Sequence, residues 1–134
     1  HLLCIDDEPL LRELLKEILE FYHHNVQTAD GGRAGLEMFE KARCTGQPFD
    51  AVITDLGMPD LNGRQVAEII KANSPGTPII LLTGWGTMLE GMGESAAQVD
   101  AVLSKPPRVN ELLETLAKVT GSTAIRETSF LQRR

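Results

Sequence analysis

Short, uniformly apolar runs alternate along this chain with longer segments whose apolar residues recur at helical spacing. Leu2–Ile5 is the first run, and its lack of alternation suits a central parallel strand covered on both faces. Pro9 opens a helix that Leu10, Leu11, Leu14, Leu15, Ile18 and Leu19 carry to about Phe21. Asn25–Ala29 reads as a second strand, and Asp30 as the cap of a helix over Arg33–Lys41 with Leu36 and Phe39 inward. Gln47-Pro48 breaks the chain before a strand at Phe49–Thr54, followed by a helix around Arg64–Ala72 through Val66, Ile69 and Ile70. Ile79–Leu82 and Val99–Leu103 are the remaining strands, and Val109–Val119 is a last amphipathic helix through Leu112, Leu113 and Leu116. Thr87–Gln98 is expected to be helical by position. Gly91 and Gly93 make it the weakest element, each costing about 1 kcal/mol relative to Ala.

Strand and helix thus alternate five times, with crossovers of helix length and no hairpin signal. The expected fold is α/β, a doubly wound five-stranded parallel sheet with helices on both faces. In such sheets chemistry collects at the carboxyl ends of the strands. The sequence sends an unusual set there. The first strand ends in Asp6-Asp7-Glu8, and the run Ala51–Thr54 stops at Asp55, with Leu56-Gly57-Met58-Pro59 turning the chain. The fourth strand ends in Thr83 and the fifth in Lys105. Taken singly, an acidic helix start, a turn-forming Asp, a strand-end hydroxyl and a surface Lys are ordinary. Four strand ends supplying them together point to a site.

Composition narrows the reading without changing it. The chain has 134 residues, enough for one domain, with hydrophobic and charged fractions of 42% and 24%, ordinary for a folded globular protein. Net charge is −6, with 18 acidic against 10 basic residues before Thr120 and three Arg against one Glu after it. An acidic body argues against direct nucleic-acid binding. No apolar run approaches a membrane span of roughly 20 residues, so membrane insertion is not expected. Cys4 and Cys44 have no disulfide spacing and read as buried or half-buried free thiols in a reducing cytoplasm. His23 and His24 have no partner at ligand spacing. The chain begins at His1 rather than Met, as expected of a domain cut from a longer protein.

These residues resemble the receiver domain of two-component response regulators. The resemblance runs from about Leu2 to Val119. It rests on Asp6-Asp7, on Asp55 in Asp-Leu-Gly-Met-Pro with Gly63 after it, on Thr83-Gly84, and on Lys105-Pro106. It implies a flavodoxin-like sheet of order 2-1-3-4-5, with residues 1–119 as the receiver and 120–134 as a tail or linker. It implies Asp55 as phosphoacceptor, Thr83 and Lys105 as catalytic residues, and Mg²⁺ held by Asp6, Asp7, Asp55 and the backbone carbonyl of Gly57. The Lys105–Pro106 bond is expected to be cis. The implied partner is a sensor histidine kinase or a histidine phosphotransfer domain, with a homodimer left open. On this reading the chain accepts and loses its own phosphoryl group but has no external product.

Each role also has a physical reason. A carboxylate nucleophile forms an acyl phosphate, a hard divalent cation offsets repulsion between like charges, and an ammonium and a hydroxyl serve phosphoryl oxygens. Two rivals fare worse. An aspartyl-nucleophile phosphatase needs an acid/base near the nucleophile, where this chain has Gly57. A flavodoxin-like binding module needs a phosphate loop after the first strand, where this chain has acids. Two positions depart from the family pattern: Val102, three before Lys105, where an aromatic residue is usual, and Trp85, two after Thr83. Thr83, Val102 and Trp85 are the candidate switch residues, and the output change is expected within Gly84–Val99.

Overall fold

The computed structural model describes residues 1–84 and 99–121. Five strands and four helices are found there: β1 (Leu2–Ile5), α1 (Pro9–Phe21), β2 (Val26–Ala29), α2 (Gly32–Cys44), β3 (Ala51–Asp55), α3 (Gly63–Asn73), β4 (Ile79–Thr83), β5 (Ala101–Ser104) and α4 (Val109–Thr120). The strands form one parallel sheet of order β2-β1-β3-β4-β5, as the resemblance implies. The expected helix at Thr87–Gln98, with Trp85, Gly91 and Gly93, and the tail from Ser122 lie outside the described residues.

The near-uniform hydrophobicity of the three inner strands has the expected cause: both faces are covered. Leu2 and Cys4 of β1 point to one core with Leu11, Leu15 and Leu19 of α1 and Leu112 and Leu116 of α4. Leu3 and Ile5 point to the other, with Phe39 of α2 and Val66, Ala67 and Ile70 of α3. A period of two within an all-apolar run therefore fills two cores, and β3 and β4 are buried at every position. Burying side chains such as Leu15, Ile53 and Leu112 stabilises the fold by roughly 1.5–3 kcal/mol each. Met58, in the loop after β3, packs into the second core. No described helix is long and apolar enough to cross a membrane.

Three local expectations need correction. Asp30 does not cap α2; the N-cap is Gly31, without a side-chain cap. The carboxylate of Asp60, from the loop before α3, accepts from the N–H groups of Gly32 at 3.2 Å and Arg33 at 3.0 Å. A local sequence rule cannot see a cap brought from 28 residues away. β5 starts at Ala101 rather than Val99, because Asp100 is committed to a turn in which its carboxylate accepts from the Ile79 N–H at 2.7 Å and from Lys71 Nζ at 2.8 Å. Cys4 is buried, as expected, but Cys44 is exposed at the end of α2; both are free. Burial, with Asp6 nearby, pushes the Cys4 thiol up to about 12, so it stays protonated and apolar in behaviour.

Candidate functional site

β1 ends one residue before Asp6, whose N–H still donates to Ala29 O at 3.1 Å as though the strand continued. The turn then closes on Asp6 itself. Its Oδ1 accepts the Glu8 N–H at 2.8 Å, and its carbonyl accepts Arg12 Nη1 at 2.7 Å. Asp6 is fully buried, whereas Asp7 is exposed. Asp55 is the last residue of β3 and is buried, next in the sheet to Leu82 of β4. Its position depends on Gly63: a Cβ there would lie 2.5 Å from the Asp55 carbonyl oxygen and 2.5 Å from Leu81 Cδ1. Only glycine lets the start of α3 approach β3 this closely.

Thr83 closes β4, is 1% exposed, and pairs in register with Ser104. Its carbonyl accepts the Lys105 N–H at 2.9 Å. The Lys105–Pro106 peptide bond is cis. The Lys105 ammonium reaches Asp55 Oδ1 at 3.1 Å and stands 3.6 Å from Asp6 Oδ2. Three acids and one ammonium thus meet at the C-terminal edge of the sheet. Carboxylate oxygens of Asp6, Asp7 and Asp55 all lie within 4.8 Å of one another.

The electrostatics of this cluster are unfinished. Burial, together with the charges of Asp55 and Asp7, pushes the Asp6 carboxyl above its ordinary range, against the Glu8 N–H and Lys105. Burial pulls the Lys105 ammonium down, but the hydrogen bond it donates to Asp55 and the charges of Asp6, Asp55 and Glu8 outweigh it and raise it overall. Asp6 Oδ2 is the one buried side-chain polar atom among the described residues that has no hydrogen-bond partner. Such an atom normally costs about 1–3 kcal/mol. A hard divalent cation fits this place: the oxygen donors converge, one buried lone pair is unused, and exposed Asp7 leaves an approach.

A family model described as the response regulator receiver domain matches residues 2–117. The chain belongs to this family. The receiver domain is 32% identical over 123 residues to the response regulator MprA of Mycolicibacterium vanbaalenii, covering 92% of this chain and 51% of that protein. It is 30% identical to the sensor protein GacS of Pseudomonas syringae, covering 90% of this chain and 13% of that protein. The chain therefore spans about half or less of the curated relatives it matches. Among solved structures, the response regulator TrrA of Thermotoga maritima in complex with Mg²⁺ and beryllium fluoride superposes with a TM-score of 0.76. It is 32% identical, over 88% of this chain and 96% of that one. Receiver domains occur both in response regulators and in hybrid sensor kinases. They act as phosphoacceptors rather than as enzymes with an external product.

Asp6, Asp7, Asp55, Thr83 and Lys105 of the receiver domain all lie at the C-terminal edge of the sheet, as the strand ends predict. Gly57 follows within two residues of Asp55 and is exposed, with open space where a side chain would stand. Val102 lies in β5 beside Leu81, partly buried. Trp85 lies outside the described residues. Arg12 is not evident as a site residue from the strand ends. Its signal is a cation in the first turns of a helix, where the dipole disfavours one, four residues after an acidic run.

Proposed function

We propose that Asp55 is the phosphoacceptor of this domain and that Asp6, Asp7, Asp55 and the Gly57 carbonyl hold Mg²⁺ beside it. The observation that carries this reading is the buried Asp6–Asp55 pair, with one carboxylate oxygen lacking a hydrogen bond and one Lys shared between the two acids. When bound, the cation supplies neutralisation of the charge that builds between carboxylates and phosphoryl oxygens. The Asp55 carboxylate attacks the phosphorus of a phosphohistidine. An O–P bond forms as the N–P bond breaks, and the electron pair returns to the imidazole ring of the donor. Lys105, already 3.1 Å from Asp55 Oδ1, follows the new charge onto a phosphoryl oxygen, and the Thr83 hydroxyl serves another. Water attacks the same phosphorus in turn: the P–O bond to Asp55 breaks, inorganic phosphate leaves and the carboxylate is restored, so the domain hydrolyses its own phosphoryl group.

The phosphodonor in this reading is a sensor histidine kinase or a histidine phosphotransfer domain in the cytoplasm. Residues 1–119 act as the receiver and 120–134 as its connection. The start of α1 supports a docking role. Leu10 is 82% exposed and Leu14 is also exposed, one and two turns from the acidic turn at Asp6-Asp7, an unusual outward placement for Leu. Incubation with a small phosphodonor and Mg²⁺ should add one base-labile phosphoryl group, visible by intact mass. Asp55→Asn should remove it completely. Full labelling of that variant would show that the acceptor is another residue.

A further inference from the structure

We infer that Arg12 is a positioning residue for the cation site: it fixes the peptide between Asp6 and Asp7, and so the direction in which the Asp7 carboxylate is presented. The inference rests on the metal reading above. Asp6 is held at three atoms. The strand ladder takes its N–H, through Ala29 O at 3.1 Å, and the start of α1 takes one carboxylate oxygen, through the Glu8 N–H at 2.8 Å. Its carbonyl lies beyond the last paired residue of β1 and receives a side chain instead, Arg12 Nη1 at 2.7 Å. With these three atoms engaged, Asp6 Oδ2 is the atom left over, 3.6 Å from the Lys105 ammonium and without a hydrogen bond.

The carbonyl of Asp6 belongs to the peptide unit that leads into Asp7. Peptide units are planar, so fixing that oxygen fixes the plane from which Asp7 departs. Asp7 is exposed and has no core packing to orient it. The guanidinium is therefore the restraint through which an exposed carboxylate is held within 4.8 Å of two buried ones. Groups that orient metal ligands typically change metal affinity about 10–100-fold when removed.

The test is a Mg²⁺ titration by calorimetry on the unphosphorylated protein. Arg12→Met keeps most of the apolar stem and loses the donors; its Mg²⁺ affinity should fall about tenfold. In an Asp7→Asn background the same change should have almost no further effect, because the ligand that Arg12 orients is already gone. A merely structural Arg12 would lower the metal-free melting midpoint and leave this coupling at zero. Unchanged Mg²⁺ affinity in Arg12→Met, or full additivity with Asp7→Asn, overturns the inference. Should Arg12→Met fail to fold, Arg12→Gln, polar but too short to reach Asp6 O, decides by the same titration. If the unaltered protein takes up no Mg²⁺ at all, the metal reading itself fails. Uptake by the unaltered protein that Arg12→Met leaves unchanged removes only the role of Arg12.

Discussion

At the N-terminal edge of the sheet, Asp100 has one carboxylate oxygen bound by two donors, Lys71 Nζ at 2.8 Å and the Ile79 N–H at 2.7 Å. At the C-terminal edge, Asp6 and Asp55 share a single ammonium, Asp7 adds a third negative charge, and one buried oxygen has no hydrogen-bond partner. Both edges contain a carboxylate, a lysine and the end of a strand. They differ in how completely the charges are matched. The Asp100 cluster stitches α3, β4 and the approach to β5 together, and its work is finished in the folded chain. The Asp6 cluster is under-neutralised, so its favourable partner must come from outside. Local frustration of this kind is expected at functional sites, where a ligand supplies what the fold withholds.

The comparison is broken most directly by relieving the frustrated edge. In Asp6→Asn the side-chain oxygen can still accept from Glu8, while the negative charge beside Asp55 and Asp7 disappears. Because the Asp6 carboxyl is held above its ordinary range, its charged form is disfavoured by folding, and neutralising it should help the metal-free protein. The expected gain is on the order of 1 kcal/mol at neutral pH. It should vanish in acid, where Asp6 is protonated anyway. The accompanying loss of Mg²⁺ affinity should be at least tenfold, about 1.4 kcal/mol. Denaturant unfolding with and without Mg²⁺ measures both. A metal-free variant less stable than the parent would mean that Asp6 earns its place in folding after all.

The satisfied edge should respond with the opposite sign. Asp100→Ala leaves the Ile79 N–H and Lys71 without their acceptor, and the expected loss is about 1–2 kcal/mol with no change in Mg²⁺ affinity. Asp100→Asn keeps an oxygen for Ile79 and removes only the partly exposed ion pair, which should cost about 0.5 kcal/mol. Equal losses in the two variants would show that the ion pair, not the backbone hydrogen bond, does the stitching.

The contrast between the edges also shows what the sequence made readable. Strand ends carrying Asp6, Asp55, Thr83 and Lys105 were visible because a parallel sheet aligns its carboxyl ends whatever the loops do. The sheet order followed from family resemblance and βαβ chirality. Hidden were the features made by long-range contact: Asp60 reaching α2, Asp100 delaying β5, and Arg12 turning back to Asp6. Leu10 and Leu14 were legible as helix formers but not as outward-facing, since a helix with Leu on most sides gives little warning of which one is left uncovered. Hydrophobic pattern reports periodicity, whereas satisfaction of polar groups depends on neighbours that only the fold supplies.

Asp60 sharpens the comparison because it is an acid near the functional edge whose charge is nevertheless well placed. Its carboxylate accepts from Arg33 N–H and Gly32 N–H at the start of α2, where the helix dipole is positive. The backbone hydrogen bond from Arg33, followed by that from Leu61 and, more weakly, from Gly32, holds its carboxyl below the ordinary range. A depressed carboxyl stabilises the fold above its ordinary value and loses that contribution as pH falls through the folded-state value. Acid should therefore act oppositely at the two carboxylates: it relieves Asp6 and uncaps α2. Asp60→Asn keeps the acceptor but not the charge, so the stability curves of parent and variant should converge as pH drops from neutral into the Asp range and separate slightly above it. The effect should be smaller than that of Asp100→Ala, since Asp60 is exposed and solvent screens its charge. Melting curves collected across that pH range decide it: curves that stay parallel throughout would mean that the cap owes nothing to the charge of Asp60.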